Sequence, residues 1–363
     1  MASDDARDWQ AAGLYDPAAA DATERLALLE YLVERGATLD DLRRSAAEDR
    51  PWGLAGDLRR RGIVRLTARQ FSEETGLDPE LVLRVSRSAG LPVYEADVPI
   101  FRRADAEGFR IAIAAMEVFG EHPTLEFTRA IGAAVASIAD ASMTIFGTQV
   151  AERFDERGVS QLERAAAVEA SSAALTDQVP IAIETLLFHH VEAALGRGVG
   201  GHTTPLAVGF VDLVRSTALV EGLAPDALAE VIGTFERLAV EIVGERGGRV
   251  VKTIGDEVMF VLPDPGRACD AALALRDAVM ADERLPLVRG GLAFGDLVRG
   301  YGDFYGPEVT MAARVVQLAE PGQLLVTAGL RSVAGAGFRF EPAGTRPLRG
   351  FSEPVELSTL DPV

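Results

Sequence analysis

The sequence predicts an α+β protein: a ferredoxin-like layer of order β-α-β-β-α-β with extra C-terminal elements, preceded by an all-α domain. Three observations carry this. Residues 104–195 are almost continuously helix-compatible and show no strand pattern. Beyond residue 205, apolar β-branched runs alternate with helical periodicity. Within that part RVVKTIGDEVMFVLP, residues 249–263, places apolar runs at 250–254 and 258–262 on either side of Gly255-Asp256, the pattern of a β-hairpin with an acid at its tip.

The bounds come from composition. At 363 residues the chain exceeds one ordinary core, and two domains are expected. With 48% hydrophobic and 25% charged residues it reads as a soluble globular protein. A formal charge of −19 argues against nucleic acid as a partner and against an anionic membrane surface. The single cysteine, Cys269, excludes an intrachain disulfide and a thiolate zinc cluster, so the natural compartment is the cytoplasm.

In chain order, helical spacing is expected over 21–36, closed by Gly36, and over 38–49. Residues 66–92 read as two short helices around Gly76, the spacing of a helix-turn-helix. Only Arg84 and Arg87 are basic on its second helix, which reads as a packing unit rather than a DNA reader. Further helices are expected at 104–119, 124–152, 159–175 and 179–195, broken at Pro123, Gly158 and Pro180. The apolar, small-residue stretch 130–147 lies at the lower length limit for a membrane span, and Asp140 interrupts it, so it reads as a core or interface helix. GRGVGGHTTP, residues 196–205, has four glycines in its first six positions and forms a flexible joint. The expected domains are therefore 1–200 and 201–363. After the joint come a strand at 206–211, a helix at 225–244, the hairpin, a helix at 265–280, a strand at 287–294, a helix after Gly306, and strands at 323–327, 337–342 and 354–359.

Three polar constellations interrupt this frame. Asp212 ends an apolar strand and Asp256 sits at the hairpin tip, so an antiparallel layer sets two carboxylates side by side, where they repel unless a cation intervenes. Oxygen donors without nearby His or Cys favour Mg²⁺ or Mn²⁺, ions that come with phosphates. After Asp212, the turn Leu213, Val214, Arg215, Ser216 and Thr217 offers amides and hydroxyls to phosphate oxygens. Lys252, an ammonium among core-like strand residues, needs a partner. Pro307 fits a first helical position, which puts Thr310 and Arg314 four apart on one helical face, with the acceptor Asp303 just before it. Singly, Asp303 is a loop acid and Arg314 a surface cation; in combination, an arginine beside a metal site is placed to stabilise charge on a transferring phosphoryl group.

Residues 205–360 resemble the class III nucleotidyl cyclases, with FVDLVRST, VKTIGDEVMF, RGGLAFGDLVRG and DFYGPEVTMAARV following in the family's order and spacing. The N-terminal half resembles, more loosely, the helical regulatory modules of bacterial cyclases of this class. The resemblance implies conversion of ATP to cyclic AMP and pyrophosphate with two Mg²⁺ or Mn²⁺ ions per site. Asp212 and Asp256 fall on the metal-binding aspartates, and the Leu213 carbonyl on the backbone ligand. Lys252 and Asp303 fall on the adenine-reading pair, Arg314 on the transition-state arginine, and Arg289 and Arg349 on triphosphate-contacting cations. Thr310 stands where the family has Asn, keeping one hydroxyl and losing the amide's reach. The family's site forms between two catalytic domains, which for this chain implies a head-to-tail homodimer. A degenerate nucleotide sensor, a transcription regulator acting through residues 66–92 and a GTP-using enzyme are the alternatives. The family pair of Lys and Asp matches adenine. Of four histidines, His189, His190 and His202 cluster near the domain boundary, where titration near neutrality would act on the joint.

Overall fold

The computed structural model describes residues 2–48, 50–61, 65–91, 97–146, 159–196, 203–214 and 223–363. The chain forms two compact units, Met1–Gly198 and Val199–Val363.

The described elements of the first unit are helical. They are α1 (Ala2–Ala11), α2 (Ala22–Glu34), α3 (Leu39–Ala47), α4 (Leu54–Arg61), α5 (Ala68–Thr75), α6 (Pro79–Ser88), α7 (Ala106–Phe119), α8 (Glu121–Phe146), α9 (Gln161–Ala173) and α10 (Val179–Gly196). Local chemistry sets several starts: Thr38 with Asp41, Thr67 with Gln70 and Ser160 with Glu163 form capping boxes that satisfy otherwise orphaned amides. One core gathers Trp9, Leu28, Leu32 and Ala165, and another stacks the rings of Phe71, Phe101 and Phe109. Glu169 on α9 accepts from the Tyr31 hydroxyl and from Arg35 Nε (2.5 Å), joining α9 to α2. Burial and that carboxylate push the Tyr31 hydroxyl up to about 12.

One expected break is displaced and another is absent. Pro123 lies in the first turn of α8, where its missing N–H has no helical acceptor to lose, and the chain turns instead at Gly120 (φ 89°). Pro180 does not end the helix either, because α9 runs through a π-helical segment, Ala174–Gln178, into α10, and the wider turn absorbs the proline. Gly158 lies outside the described residues. The helices α1 and α4 were not expected from the pattern. The helix-turn-helix spacing is realised as α5 and α6 around Gly76 (φ 74°), with Arg84 ion-paired to Glu121 at 2.5 Å. Along α10 the side chains of residues 184–195 are exposed, including Leu186, Leu187 and Phe188, and α8 exposes Val135, Met143 and Ile145. Among the described residues no helix is long and apolar enough to cross a membrane.

In the second unit β1 (Thr203–Leu213), α11 (Pro225–Glu245), β2 (Arg249–Ile254), β3 (Glu257–Leu262), α12 (Pro265–Ala281) and β4 (Val288–Gly300) follow the expected β-α-β-β-α-β order. Then come β5 (Asp303–Tyr305), α13 (Pro307–Val315), β6 (Leu324–Thr327), α14 (Ala328–Val333), β7 (Phe338–Arg346) and β8 (Val355–Pro362). The eight-stranded sheet runs β2-β3-β1-β4-β6-β8-β7, with β5 pairing β4, so its first four strands keep the ferredoxin-like order. Alternation along β1 splits the core. Ala207, Val211 and Leu213 face α11 and α12, whereas Leu206, Val208 and Phe210 share a cluster with Ala312 and Val316 at α13. Gly291 permits that second packing: a Cβ there would lie 2.3 Å from Val316 N and 2.7 Å from Ala312 O. Cys269 is buried in the first cluster, and burial pushes its thiol up to about 12, the behaviour of a small apolar residue. The elements β5 and α14 were not expected, each being too short to show a period.

Candidate active site

The site grows from a row of cross-strand neighbours. In register, Asp212 on β1 lies opposite Glu257 on β3 and opposite Arg289 on β4, so the three side chains line one face in the order Glu257, Asp212, Arg289. By alternation this is the face that carries α13. The turn Gly255-Asp256 joins β2 to β3, with Gly255 at φ 66°, the left-handed first position of a tight hairpin turn. The turn docks on β1, where the Leu213 N–H donates to the Asp256 carbonyl at 3.2 Å. That contact holds Asp256 beside the end of β1, near enough for its charge to act on Asp212.

Asp212 is only 7% exposed. Burial raises its pKa and the Asp256 charge raises it further, while Arg289 opposes both. Arg289 donates from Nε (2.9 Å) and Nη2 (2.6 Å) to the single oxygen Oδ2, and from Nη2 to Gln317 Oε1 at 2.7 Å. Glu257 is pushed up to about 7, chiefly by burial and then by Asp212 and Asp256. Three carboxylates thus crowd one strand end against one guanidinium, a donor set that suits a hard divalent cation. Among the described residues no three His, Cys, Asp or Glu side chains form a preset cage, so an ion on Asp212 and Asp256 needs further oxygens from elsewhere, as Mg²⁺ bound with phosphates does.

A second cluster lies along the same hairpin. Lys252 pairs with Met259 across it, and its ammonium meets Asp303 Oδ2 at 2.5 Å, while Asp303 Oδ1 accepts from the Phe304 N–H at 2.8 Å. Lys252 and Asp303 are therefore mutual partners on β2 and β5, separate from the Asp212 cluster.

The remaining expected residues are spread out. Thr310 and Arg314 are both exposed on α13; the Thr310 hydroxyl donates to the Gly306 carbonyl at 3.3 Å. No described hydrogen bond or ion pair of this chain joins Arg314 to Asp212; the cluster's bonds reach Gln317 instead, three residues further on. Arg349 is exposed in the β7–β8 loop beside the buried Leu348, and no described bond joins it to Asp212 or Lys252. Val214 follows β1, its N–H bonded to the Leu287 carbonyl at 2.7 Å. Arg215, Ser216, Thr217 and His202 lie outside the described residues, whereas His189 and His190 are exposed on α10. Glu257 and Gln317 were missed. Glu257 adjoins Asp256 in sequence, yet only strand register places it against Asp212.

Comparison with known proteins gives two family matches: the adenylate cyclase regulatory domain over residues 7–195, and the adenylate and guanylate cyclase catalytic domain over residues 201–360. An uncharacterised protein of Mycobacterium tuberculosis is 33% identical over 357 residues, covering 95% of this chain and 91% of its own length. A protein of the same species named as a pH-sensitive adenylate cyclase is 32% identical over 92% of this chain and 87% of its own. An adenylate cyclase of Glutamicibacter nicotianae is 41% identical over 45% of this chain and 42% of its own. The solved adenylyl cyclase of P. aeruginosa aligns over 44% of this chain and 95% of its own at 22% identity, with a TM-score of 0.42. Two adjoining domain matches, and a named adenylate cyclase at 32% identity along most of both chains, establish that the chain belongs to the class III adenylate cyclases, with a regulatory domain preceding the catalytic one.

Proposed function

We propose that this cyclase converts ATP to 3′,5′-cyclic AMP and pyrophosphate with two Mg²⁺ or Mn²⁺ ions at each of two sites shared between copies of the chain. One observation carries the reading: the β2–β3 hairpin serves two separate clusters, with Asp256 joining Asp212 at its tip and Lys252 joining Asp303 along its side. A single copy leaves Arg314 exposed and outside the carboxylate cluster, which favours a site completed by a partner's α13. The bare apolar side chains of α8 and α10 also favour a second copy.

In this reading Asp212, Asp256 and the Leu213 carbonyl hold the ions, which when bound lower the pKa of the ribose 3′-hydroxyl and neutralise the leaving pyrophosphate. Lys252 and Asp303 recognise the adenine edge, the ammonium reaching a ring acceptor and the carboxylate the exocyclic amine. Arg314 offers a cation to the charge that grows at the α-phosphorus, and Thr310 positions the ribose through its hydroxyl. Arg289, Arg349 and the turn from Val214 through Arg215, Ser216 and Thr217 hold the triphosphate. The protein's contribution is placement and electrostatics, as in other phosphoryl transfers. The N-terminal unit regulates by changing how two catalytic units meet.

Mixing tests the shared site. Asp212→Ala and Arg314→Ala should each abolish most cyclic AMP formation, and their mixture should recover activity, because one site of a mixed dimer carries neither change. Mixed dimers that form and stay inactive would refute the arrangement.

A further inference from the structure

Arg289 occupies the very oxygen that the proposed function assigns to a metal ion. Both of its contacts with Asp212 fall on Oδ2, and Gln317 Oε1 takes a further Nη2 proton, so the guanidinium is held from two sides. The pair is well shielded, with side chains 10% (Asp212) and 26% (Arg289) exposed. A guanidinium keeps its charge, so it holds a buried carboxylate firmly and leaves it most readily when another anion takes it. Phosphate oxygens are the anions whose geometry suits its fork. Nη1 makes no hydrogen bond among the described residues, leaving donors for an incoming phosphate before the Asp212 contacts are released.

We propose that Arg289 is a positioning residue that withholds Asp212 from the divalent cation until the phosphates of the nucleotide draw its guanidinium away, so that cation and nucleotide bind cooperatively. The inference rests on the assignment of Asp212 and Asp256 as metal ligands. Without nucleotide, an ion must displace two hydrogen bonds and a half-buried counter-charge from one oxygen. With nucleotide, the guanidinium has moved to phosphate and Oδ2 is open. Reciprocity then requires the cation to raise nucleotide affinity by the factor with which the nucleotide raises cation affinity. Gln317 is part of the device, because it holds the guanidinium at Asp212.

The test is Mn²⁺ binding to the full chain, followed by the electron paramagnetic resonance of free Mn²⁺, with and without 3′-deoxy-ATP, which cannot cyclise. Arg289→Gln should bind Mn²⁺ without nucleotide about tenfold more tightly than wild type, and the gain produced by 3′-deoxy-ATP should shrink by about the same factor. Gln317→Ala leaves every charge in place and should move both quantities the same way by a smaller factor, so it decides the matter should Arg289→Gln fail to fold. Arg289→Lys separates charge from the fork: the ammonium keeps the charge but holds Oδ2 with fewer bonds, so it should fall between wild type and Arg289→Gln. Asp256→Asn serves as the control on the metal site. If it leaves Mn²⁺ binding unchanged, the ligand assignment fails and the role of Arg289 falls with it. If it weakens Mn²⁺ binding while Arg289→Gln and Gln317→Ala bind Mn²⁺ alone no more tightly than wild type, the ligand assignment stands and the role of Arg289 is overturned.

Discussion

Replacing Glu257 by Gln should stabilise the metal-free catalytic unit above neutral pH, and the reason is the carboxylate row. Glu257 lies opposite Asp212 in the sheet, and burial followed by the charges of Asp212 and Asp256 pushes it from 4.5 in isolation up to about 7. The folded state therefore binds the Glu257 proton more tightly than the unfolded chain does. With the folded pKa raised, this group favours folding most below the unfolded value, and stability falls as pH rises from about 4.5 to about 7. Each tenfold difference in proton affinity between the two states corresponds to about 1.4 kcal/mol, so the loss across that window is at most about 3.5 kcal/mol, and solvent screening at this half-buried group lowers it to about 2 kcal/mol. Gln keeps the shape and carries no charge at any pH, so wild type and variant should melt alike near pH 5, apart from a small offset. Near pH 8 the variant should melt higher by about 4 to 8 °C, the shift expected for about 2 kcal/mol in a unit of this size. The assay is calorimetry in EDTA, which removes any bound cation. Both tryptophans, Trp9 and Trp52, lie in the first unit, so Trp fluorescence follows that unit separately and should not respond to the substitution. Equal pH dependence in the two proteins, or a variant less stable near pH 8, would show that Glu257 does not carry the crowding of charge described here.

Two further outcomes are expected. Thr310→Asn restores an amide one helical turn before Arg314 and should raise turnover with little change in Mn²⁺ affinity; steady-state rates that stay level or fall would mean that Thr310 does not limit the reaction. His189→Ala/His190→Ala/His202→Ala should flatten the change in activity of the full chain between about pH 8 and about pH 6, and an unchanged profile would place any proton response elsewhere.

How much of this was legible in the sequence depends on the range of the interaction. The hairpin tip at Gly255-Asp256, the β-α-β-β-α-β order and the two short helices around Gly76 follow from residues a few positions apart, and local periodicity reports them faithfully. Pro123 and Pro180 misled for a related reason. A proline limits a helix only through the amide it lacks and the carbonyl it crowds, and whether a first turn or a π-segment absorbs that is settled by the surrounding helix. Motif order along residues 205–360 was enough to point to the family, because four ordered motifs constrain one another.

What the sequence by itself determined, then, is which residue types are available and the elements that carry them: Asp212 at a strand end, Asp256 at a turn, Lys252 inside a strand and Arg314 on a helix. Only the tertiary structure decided which of them meet. Asp303 became the partner of Lys252, Arg289 closed on Asp212 with Gln317 behind it, and Glu257 joined the row as an acid pushed up to about 7. The physical reason is register: side chains in a sheet alternate with a period of two, so a shift of one residue in the pairing of β1 with β3 and β4 would put Asp212 on the opposite face from Glu257 and Arg289.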